Sequence, residues 1–323
     1  MNQTFSLDHF THRCGTISLA LAALLLHGGP AGATELGGSS YPVGVELGYG
    51  DMLPPGIYNL AYYSHAQASS LKGNSGQDLG WARYRLTADT ISYRMQYVWA
   101  RTLLGASAES ALVFPFPAID LEKQVSSALP DTSASRFGMT DPLLVPLRLA
   151  WKGEDLNQSV GLEIVAPLGA YDVKAGVNTG RNYWQWAPTY ALTYRPSAET
   201  TIGVKLRYGM STTNEDASYR SGNELTFEYS AGYRLSSATT LGLQGYLFRQ
   251  TTDDELNGQS TSATNGRLIG SGIGNRGSAN SIGPFLSYRV SPRFSVSIKY
   301  QRDYDVKNRG EFSRFWLQAM LPF

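Results

Sequence analysis

The sequence predicts an all-β protein, a transmembrane antiparallel up-and-down β-barrel of about 12 strands. Three observations predict this fold: stretches of alternating apolar and polar residues, connections that alternate between short and long, and an apolar last strand that ends on an aromatic residue. The composition agrees, because only 16% of the 323 residues are charged, against about 25% in an average soluble domain. An even strand number predicts that both termini lie on the periplasmic side.

The first 33 residues predict a secretory signal peptide. Arg13 precedes the apolar run 17–26, and the small-residue triplet 31–33 follows. This order is typical of a signal peptide, whereas a helix that spans a membrane needs about 20 apolar residues. We therefore expect Sec-type export, cleavage near Ala33, and localisation in the outer membrane of a Gram-negative cell.

Cleavage after Ala33 would leave one histidine, His65, and no cysteine. We therefore expect no disulfide, no metal site built from Cys or several His ligands, and no cofactor. The acidic run 253–255 could bind a divalent cation, but its spacing matches no EF-hand loop, so a solvated acidic loop is the better interpretation. A formal charge of +1 without a basic run predicts no nucleic-acid partner.

Alternation with a period of two is clearest at 91–99, where Ile91 and Tyr93 alternate with Ser92 and Arg94. Similar patterns recur along the chain, and each predicts a strand with one apolar and one polar face. The predicted strands lie near 57–66, 89–99, 103–114, 143–151, 159–167, 184–194, 200–210, 224–235, 239–249, 281–290, 293–302 and 312–323.

The connections between these strands favour a barrel over its runner-up, a soluble β-sandwich. Short links are predicted near 100–102, 152–158, 195–199, 236–238 and 291–292. Long ones are predicted near 67–88, 115–142, 168–183, 211–223 and 250–280, with a moderate one near 303–311. Outer-membrane barrels have short periplasmic turns and longer external loops, and a sandwich has no reason to sort loop length in this way.

The end of the chain resembles the strand that outer-membrane barrels present to the barrel-assembly machinery. Apolar residues alternate along 315–323, and Phe323 is the expected assembly signal. Aromatic girdles that contact outer-membrane lipid are expected at the strand ends. The tryptophans near predicted strand ends are Trp99, Trp151, Trp184 and Trp316.

Charged residues on the face opposite the apolar band are expected to line the lumen, since Arg or Lys facing lipid would cost about 2–4 kcal/mol at mid-bilayer. They form either a selectivity lining or an ion-pair network that fills a narrow barrel. The candidates are Arg94, Glu109, Arg148, Glu163, Lys205, Arg207, Glu224, Glu228, Arg234 and Lys299.

Two other classes of function compete with a channel: an outer-membrane serine hydrolase of the phospholipase kind, and a structural or adhesive barrel. A hydrolase needs a base beside its nucleophile. His65 is the one histidine left for that role, and the chain contains no G-x-S-x-G motif. We therefore expect no enzyme and no catalytic residues.

Six stretches resemble the meta-pathway phenol-degradation family of outer-membrane proteins, in the order of that family. They are 41–44, 53–58, 167–172, 178–184, 221–225 and 242–246, with Leu168 where the family has Thr. The resemblance implies a transporter-like barrel for small hydrophobic or aromatic compounds. Twelve strands lie between ligand-holding eight-stranded barrels and open porins, so we expect passive passage through a narrow lumen. It brings no catalytic residues.

The segment between the signal and the barrel, 34–56, is apolar and rich in glycine, with few charges. We expect it to fold into the lumen as a hatch, ahead of the barrel itself at 57–323. Its carboxylates, Glu35, Glu46 and Asp51, could then meet lumen cations such as Arg94, Arg148, Lys205 or Lys299. A segment packed beneath the barrel mouth, or paired with another protein, is the alternative. The hatch candidates are Tyr41, Pro42, Leu53, Pro54 and Pro55.

Overall fold

The computed structural model of the protein describes residues 38–47, 49–124, 126–127, 131–261, 276–291 and 294–321. The predicted signal peptide with Ala33 and the predicted assembly signal Phe323 lie outside these residues. Within them every regular element is a β-strand. No helix in this part of the chain is long and apolar enough to cross a membrane.

Seventeen strands are present in the described residues. In chain order they are β1 (Gly56–Leu71), β2 (Arg83–Val98), β3 (Ser107–Gln124), β4 (Thr132–Phe137), β5 (Leu143–Lys152), β6 (Leu156–Val165), β7 (Gln185–Tyr194), β8 (Thr200–Ser211), β9 (Thr213–Asn214), β10 (Tyr219–Arg220), β11 (Glu224–Arg234), β12 (Thr239–Gln250), β13 (Glu255–Leu256), β14 (Gln259–Ser260), β15 (Ser278–Ser291), β16 (Phe294–Lys307) and β17 (Gly310–Leu321).

Twelve long strands close into an antiparallel barrel, which confirms the predicted fold class. Each pairs with its neighbours in the order β1, β2, β3, β5, β6, β7, β8, β11, β12, β15, β16, β17. The barrel closes where β17 pairs with β1, with Ser64 opposite Trp316. Here the turn end is the end where β1 begins and β17 finishes, and the loop end is the opposite one.

Alternation places the apolar side chains outside and the polar ones inside. On β2, Ile91 and Met95 are exposed on the outer face, whereas Arg94 and Gln96 are buried in the lumen. A barrel in lipid has an apolar outer band and a polar interior. The predicted faces of this strand are therefore confirmed.

Strand limits at the loop end differ from those predicted. The connection predicted at 67–88 shrinks to 72–82, because β1 and β2 continue as a paired ladder. Likewise β3 extends to Gln124 and pairs there with the short β4. The moderate loop predicted at 303–311 is wrong, since β16 and β17 are joined by Asn308 and Arg309 alone, with Asn308 at a φ of 52°.

The acidic run 253–255 leads into a small sheet at the loop end, where Glu255 begins β13, and is not a solvated loop. The sheet has the strand order β14-β13-β10-β9. Asp254 is buried and accepts hydrogen bonds from the Tyr219 hydroxyl at 2.5 Å and the Gly222 amide at 2.9 Å. Within the described residues no group of three or more His, Cys, Asp or Glu could hold a metal ion.

The tryptophans divide between the two faces of the wall. Trp184 lies on the outer face. Its half-exposed ring stacks on the ring of Trp186, with 6.3 Å between the ring centroids. The prediction of a girdle position for Trp316 is wrong, because its side chain points inward, is buried, and donates to Gln301 Oε1 at 2.9 Å.

Candidate site in the barrel lumen

Most of the charged candidates lie inside the barrel. The structure places nine of them in buried or nearly buried positions: Arg94, Glu109, Arg148, Glu163, Lys205, Arg207, Glu224, Glu228 and Lys299. Arg234 differs from the prediction. It is the last residue of β11 and is exposed at the turn end, where the wall no longer encloses a lumen.

A continuous series of ion pairs begins on the wall formed by β5, β3 and β2. Arg148 Nε lies 3.2 Å from Glu109 Oε1, which in turn lies 3.5 Å from Arg94 Nη2. Gln96 donates to the other oxygen of Glu109 at 2.6 Å. The second Arg94 nitrogen pairs with Glu46, a residue of the N-terminal segment.

The series continues from Glu46 to the opposite wall, formed by β8 and β6. Lys205 Nζ lies 3.6 Å from Glu46 Oε2 and 2.7 Å from Glu163 Oε1. The other oxygen of Glu163 accepts from Arg207 Nε at 2.8 Å. Glu46 is therefore the link that joins two clusters of wall charges across the lumen.

The N-terminal segment runs through the lumen from the loop end to the turn end. It comprises the described residues 38–47 and 49–56. Near the loop end Ser39 donates to Glu224 Oε2 at 2.8 Å. At the turn end Asp51 Oδ1 accepts from Asn157 Nδ2 at 2.7 Å and pairs with Arg195. The segment thus contacts strands on several sides of the barrel.

Gly44 is bound to the barrel wall through both of its backbone groups. Its carbonyl accepts from Lys299 Nζ at 2.8 Å and from Gln301 Nε2 at 3.1 Å, and its amide donates to Glu228 Oε1 at 2.8 Å. The φ of Gly44 is +80°, and a Cβ added there would lie 2.2 Å from Gln301 Nε2. Glycine is required here for both conformation and space.

The hatch candidates divide between the lumen and the turn end. Tyr41 is buried, its hydroxyl accepts from Lys205 Nζ at 2.9 Å, and the Arg207 guanidinium lies 4.4 Å from its ring centroid. Pro42 and Leu53 line cavities in the lumen. Pro54 and Pro55 differ from the prediction, since they are exposed at the turn end where the chain enters β1.

Two cavities remain beside the segment, on the side of the lumen walled by β1, β2 and β3. The loop-side cavity has a volume of about 270 Å³ and the turn-side cavity about 250 Å³. Both are lined by Glu46, Tyr62 and Arg94. These three residues therefore lie between the two cavities.

The walls of the two cavities differ in polarity. The loop-side cavity has an apolar wall made of Val113, Pro115, Pro117, Ile119 and Leu143. Its rim includes Asp141, which accepts the Gly169 amide at 2.9 Å and the Arg181 amide at 2.7 Å. Burial raises the pKa of the Asp141 carboxyl in spite of these two donors. Around the turn-side cavity polar groups such as Asp51 and Arg148 predominate.

Sequence reasoning missed several partners of the segment. Lys299 and Gln301 contact backbone atoms of Gly44, and such contacts leave no pattern in the sequence. Arg195 lies in a link, outside every predicted strand. The inward position of Trp316 could have been found, since it alternates with Phe315 and Leu317.

His65 lies outside the lumen. It is on the outer face of β1, where its Nδ1 is 2.9 Å from Asp89 Oδ1. The Tyr63 hydroxyl donates to the same oxygen at 2.6 Å. The ring therefore has a carboxylate partner that the sequence did not reveal.

Comparison with known proteins identifies a family. The family model described as "Putative MetA-pathway of phenol degradation" matches residues 68–319. The chain is similar to the crystal structure of an outer membrane channel from Pseudomonas putida F1, with 16% identity, coverage of 86% of this chain and 100% of that chain, and a TM-score of 0.71.

Two further solved structures have lower TM-scores. The translocator domain of the autotransporter NalP from Neisseria meningitidis has 8% identity, 98% coverage of both chains and a TM-score of 0.48. The NanC porin has 9% identity, coverage of 82% of this chain and 100% of that chain, and a TM-score of 0.43. No match was found among curated proteins. The likeness to the Pseudomonas putida channel shows the fold of an outer-membrane β-barrel.

Proposed function

Because the chain belongs to the family described as the MetA-pathway of phenol degradation, we propose that it is an outer-membrane channel for small hydrophobic or aromatic compounds. The observation that carries this proposal is the interrupted path through the lumen, in which two cavities meet at Glu46, Tyr62 and Arg94. A barrel with such a path passes small solutes and excludes large ones. The Pseudomonas putida structure to which the chain is similar is an outer membrane channel, which supports the same proposal.

The N-terminal segment acts in this proposal as the hatch that restricts the lumen. It occupies the lumen between the wall of β1 to β3 and the wall of β8 to β16. With the long connections on the outside of the cell, solutes would reach the loop-side cavity first and the turn-side cavity second. We take passage to be passive, with movement of the side chains that lie between the two cavities, Glu46 among them.

Growth on aromatic carbon sources tests the proposed function. A strain that lacks the protein should grow more slowly than its complemented form on low concentrations of one-ring aromatic compounds, because uptake then limits growth. Growth on succinate should be equal in the two strains. Equal growth of both strains on every aromatic source at limiting concentration would contradict the proposal.

A hydrolase is the second candidate, and the His65–Asp89 pair is the observation that favours it. A histidine oriented by a carboxylate can serve as a general base. However, no serine hydroxyl in the described residues is hydrogen-bonded to His65, so the nucleophile is missing from the arrangement. The channel is therefore the better supported function.

The variant His65→Ala separates the two candidates. We expect growth on aromatic compounds to stay within a few-fold of the wild type, since His65 lies on the outer face, away from the path. Purified protein should be assayed in parallel on ester and phospholipid substrates. A reproducible esterase activity that disappears in this variant would reverse the ranking.

A further inference from the structure

The barrel wall around Glu46 carries more positive than negative charge. In the series of ion pairs the wall contributes four cations, Arg94, Arg148, Lys205 and Arg207, and two carboxylates, Glu109 and Glu163. The wall residues of this series therefore have an excess of two positive charges (four minus two). Lys299 and Glu228, which hold Gly44, add one charge of each sign and leave this excess unchanged.

Glu46 supplies a counter-charge that the wall lacks. It is placed between Arg94 on β2 and Lys205 on β8 and belongs to the segment, not to the wall. If its side chain moved, two clusters of net positive charge would face each other across the lumen. Buried cations without a partner are costly, so another anion is needed wherever Glu46 leaves.

The loop-side cavity determines which anion fits. Its volume is about 270 Å³, and its wall along β3 consists of Val113, Pro115, Pro117 and Ile119. An apolar cavity of about 150 Å³ accepts benzene, so there is room for one substituted ring. Arg94 lines the same cavity, and an arginine guanidinium binds carboxylates through two parallel hydrogen bonds.

From this arrangement we infer that the loop-side cavity binds a small carboxylate with an apolar body of about one ring, and that this carboxylate replaces Glu46 on Arg94. The inference rests on the proposed function and names its substrate class as aromatic or aliphatic acids of this size. The apolar body lies against the prolines of β3, and the carboxylate points towards Arg94.

Replacement of Glu46 also changes the boundary between the two cavities. Glu46 keeps Lys205 as a partner, at 3.6 Å, when it loses Arg94. Its departure from Arg94 removes one of the three residues that separate the loop-side from the turn-side cavity. The solute that fits the site thereby opens its own path, and Arg148 is the next cation along the turn-side cavity.

Binding of benzoate to the full mature chain in lipid nanodiscs tests this inference. Calorimetry at constant ionic strength compares benzoate with acetate, which lacks the ring, and with benzyl alcohol, which lacks the charge. In the wild type, benzoate should bind at least about tenfold more tightly than either. Glu46→Gln removes the competing carboxylate and should tighten benzoate binding by about tenfold, without changing the weak binding of benzyl alcohol.

Arg94→Gln should weaken benzoate binding by about tenfold, since the carboxylate loses its main partner. Arg234→Gln, an equivalent change at an exposed position of the turn end, should leave it unchanged. Because Arg94→Gln leaves Glu109 with less compensation, its folding must be checked by heat-modifiable migration on a gel. Glu46→Gln changes no residue of the barrel wall, so the inference can still be tested with this variant if Arg94→Gln does not fold.

Three results would overturn the inference. They are equal affinity for benzoate in Glu46→Gln and the wild type, equal affinity for acetate and benzoate, and a response of benzyl alcohol that follows that of benzoate. Conductance of the same preparations in potassium chloride tests the channel separately. A protein that conducts ions without distinguishing benzoate would keep the proposed function and lose only this inference.

Discussion

At the scale of single residues, Gly44 fixes the position of the whole N-terminal segment. Both groups of its backbone are bound, by Lys299 and Gln301 on one strand and by Glu228 on another. A side chain at this position would have to displace Gln301, because a Cβ would lie 2.2 Å from its Nε2. The contact of the segment with the wall therefore depends on the absence of a side chain.

The variant Gly44→Ala should loosen the segment and raise the single-channel conductance in planar bilayers. Gly80→Ala is the matched control, because Gly80 also has a positive φ, of +67°, but has nothing within 4 Å of its Cβ position. Both variants should lose about 1–2 kcal/mol for the left-handed conformation. A rise in conductance in both, or in neither, would contradict the role of Gly44.

At the scale of strands, the alternation of apolar and polar residues predicts the strand positions well, because each barrel strand has lipid on one side and the lumen on the other. Every predicted strand overlaps one barrel strand of the structure. Beyond the lipid the apolar contrast ends, so the extensions of β1, β2 and β3 at the loop end were not predicted. The outer face of these extensions carries polar residues, such as Gln67, Thr87 and Asp120. That these strands pair there is seen only in the structure.

A charge on the outer face in mid-strand tests the orientation of the strands. Leu243 is half-exposed in the middle of β12, and Leu243→Arg should cost about 2–4 kcal/mol in a bilayer. Leu235→Arg is the control, since Leu235 is exposed in the link between β11 and β12, away from mid-membrane. The folded fraction after refolding into vesicles, read from gel migration, should fall for Leu243→Arg alone. Equal yields would contradict the assigned face.

At the scale of the whole molecule, the sequence predicts the barrel better than the site within it. Charge on the inward face follows from alternation, so Arg94 or Glu163 can be placed in the lumen without a structure. Which cation meets Glu46 depends on which residues of β2 and β8 face each other across the lumen and on the path of the segment. Neither leaves a pattern in the chain, because they are set by three-dimensional closure.

The position of the segment decides how the molecule works as a whole. Its contacts extend from Ser39 at the loop end to Asp51 at the turn end, so it passes through the full height of the lumen. A barrel of twelve strands lies between the small closed barrels and the open porins in width. The segment fills part of that width, and the two cavities lie beside it.

Single-channel conductance of the protein without residues 37–50 tests this account most directly. The deletion removes Tyr41, Gly44 and Glu46 but leaves every barrel strand in place. If the segment restricts the lumen, the deleted form should conduct several-fold more than the full chain and admit unrelated small solutes. A deleted form that is folded, as shown by heat-modifiable migration, and that conducts like the full chain would contradict the account.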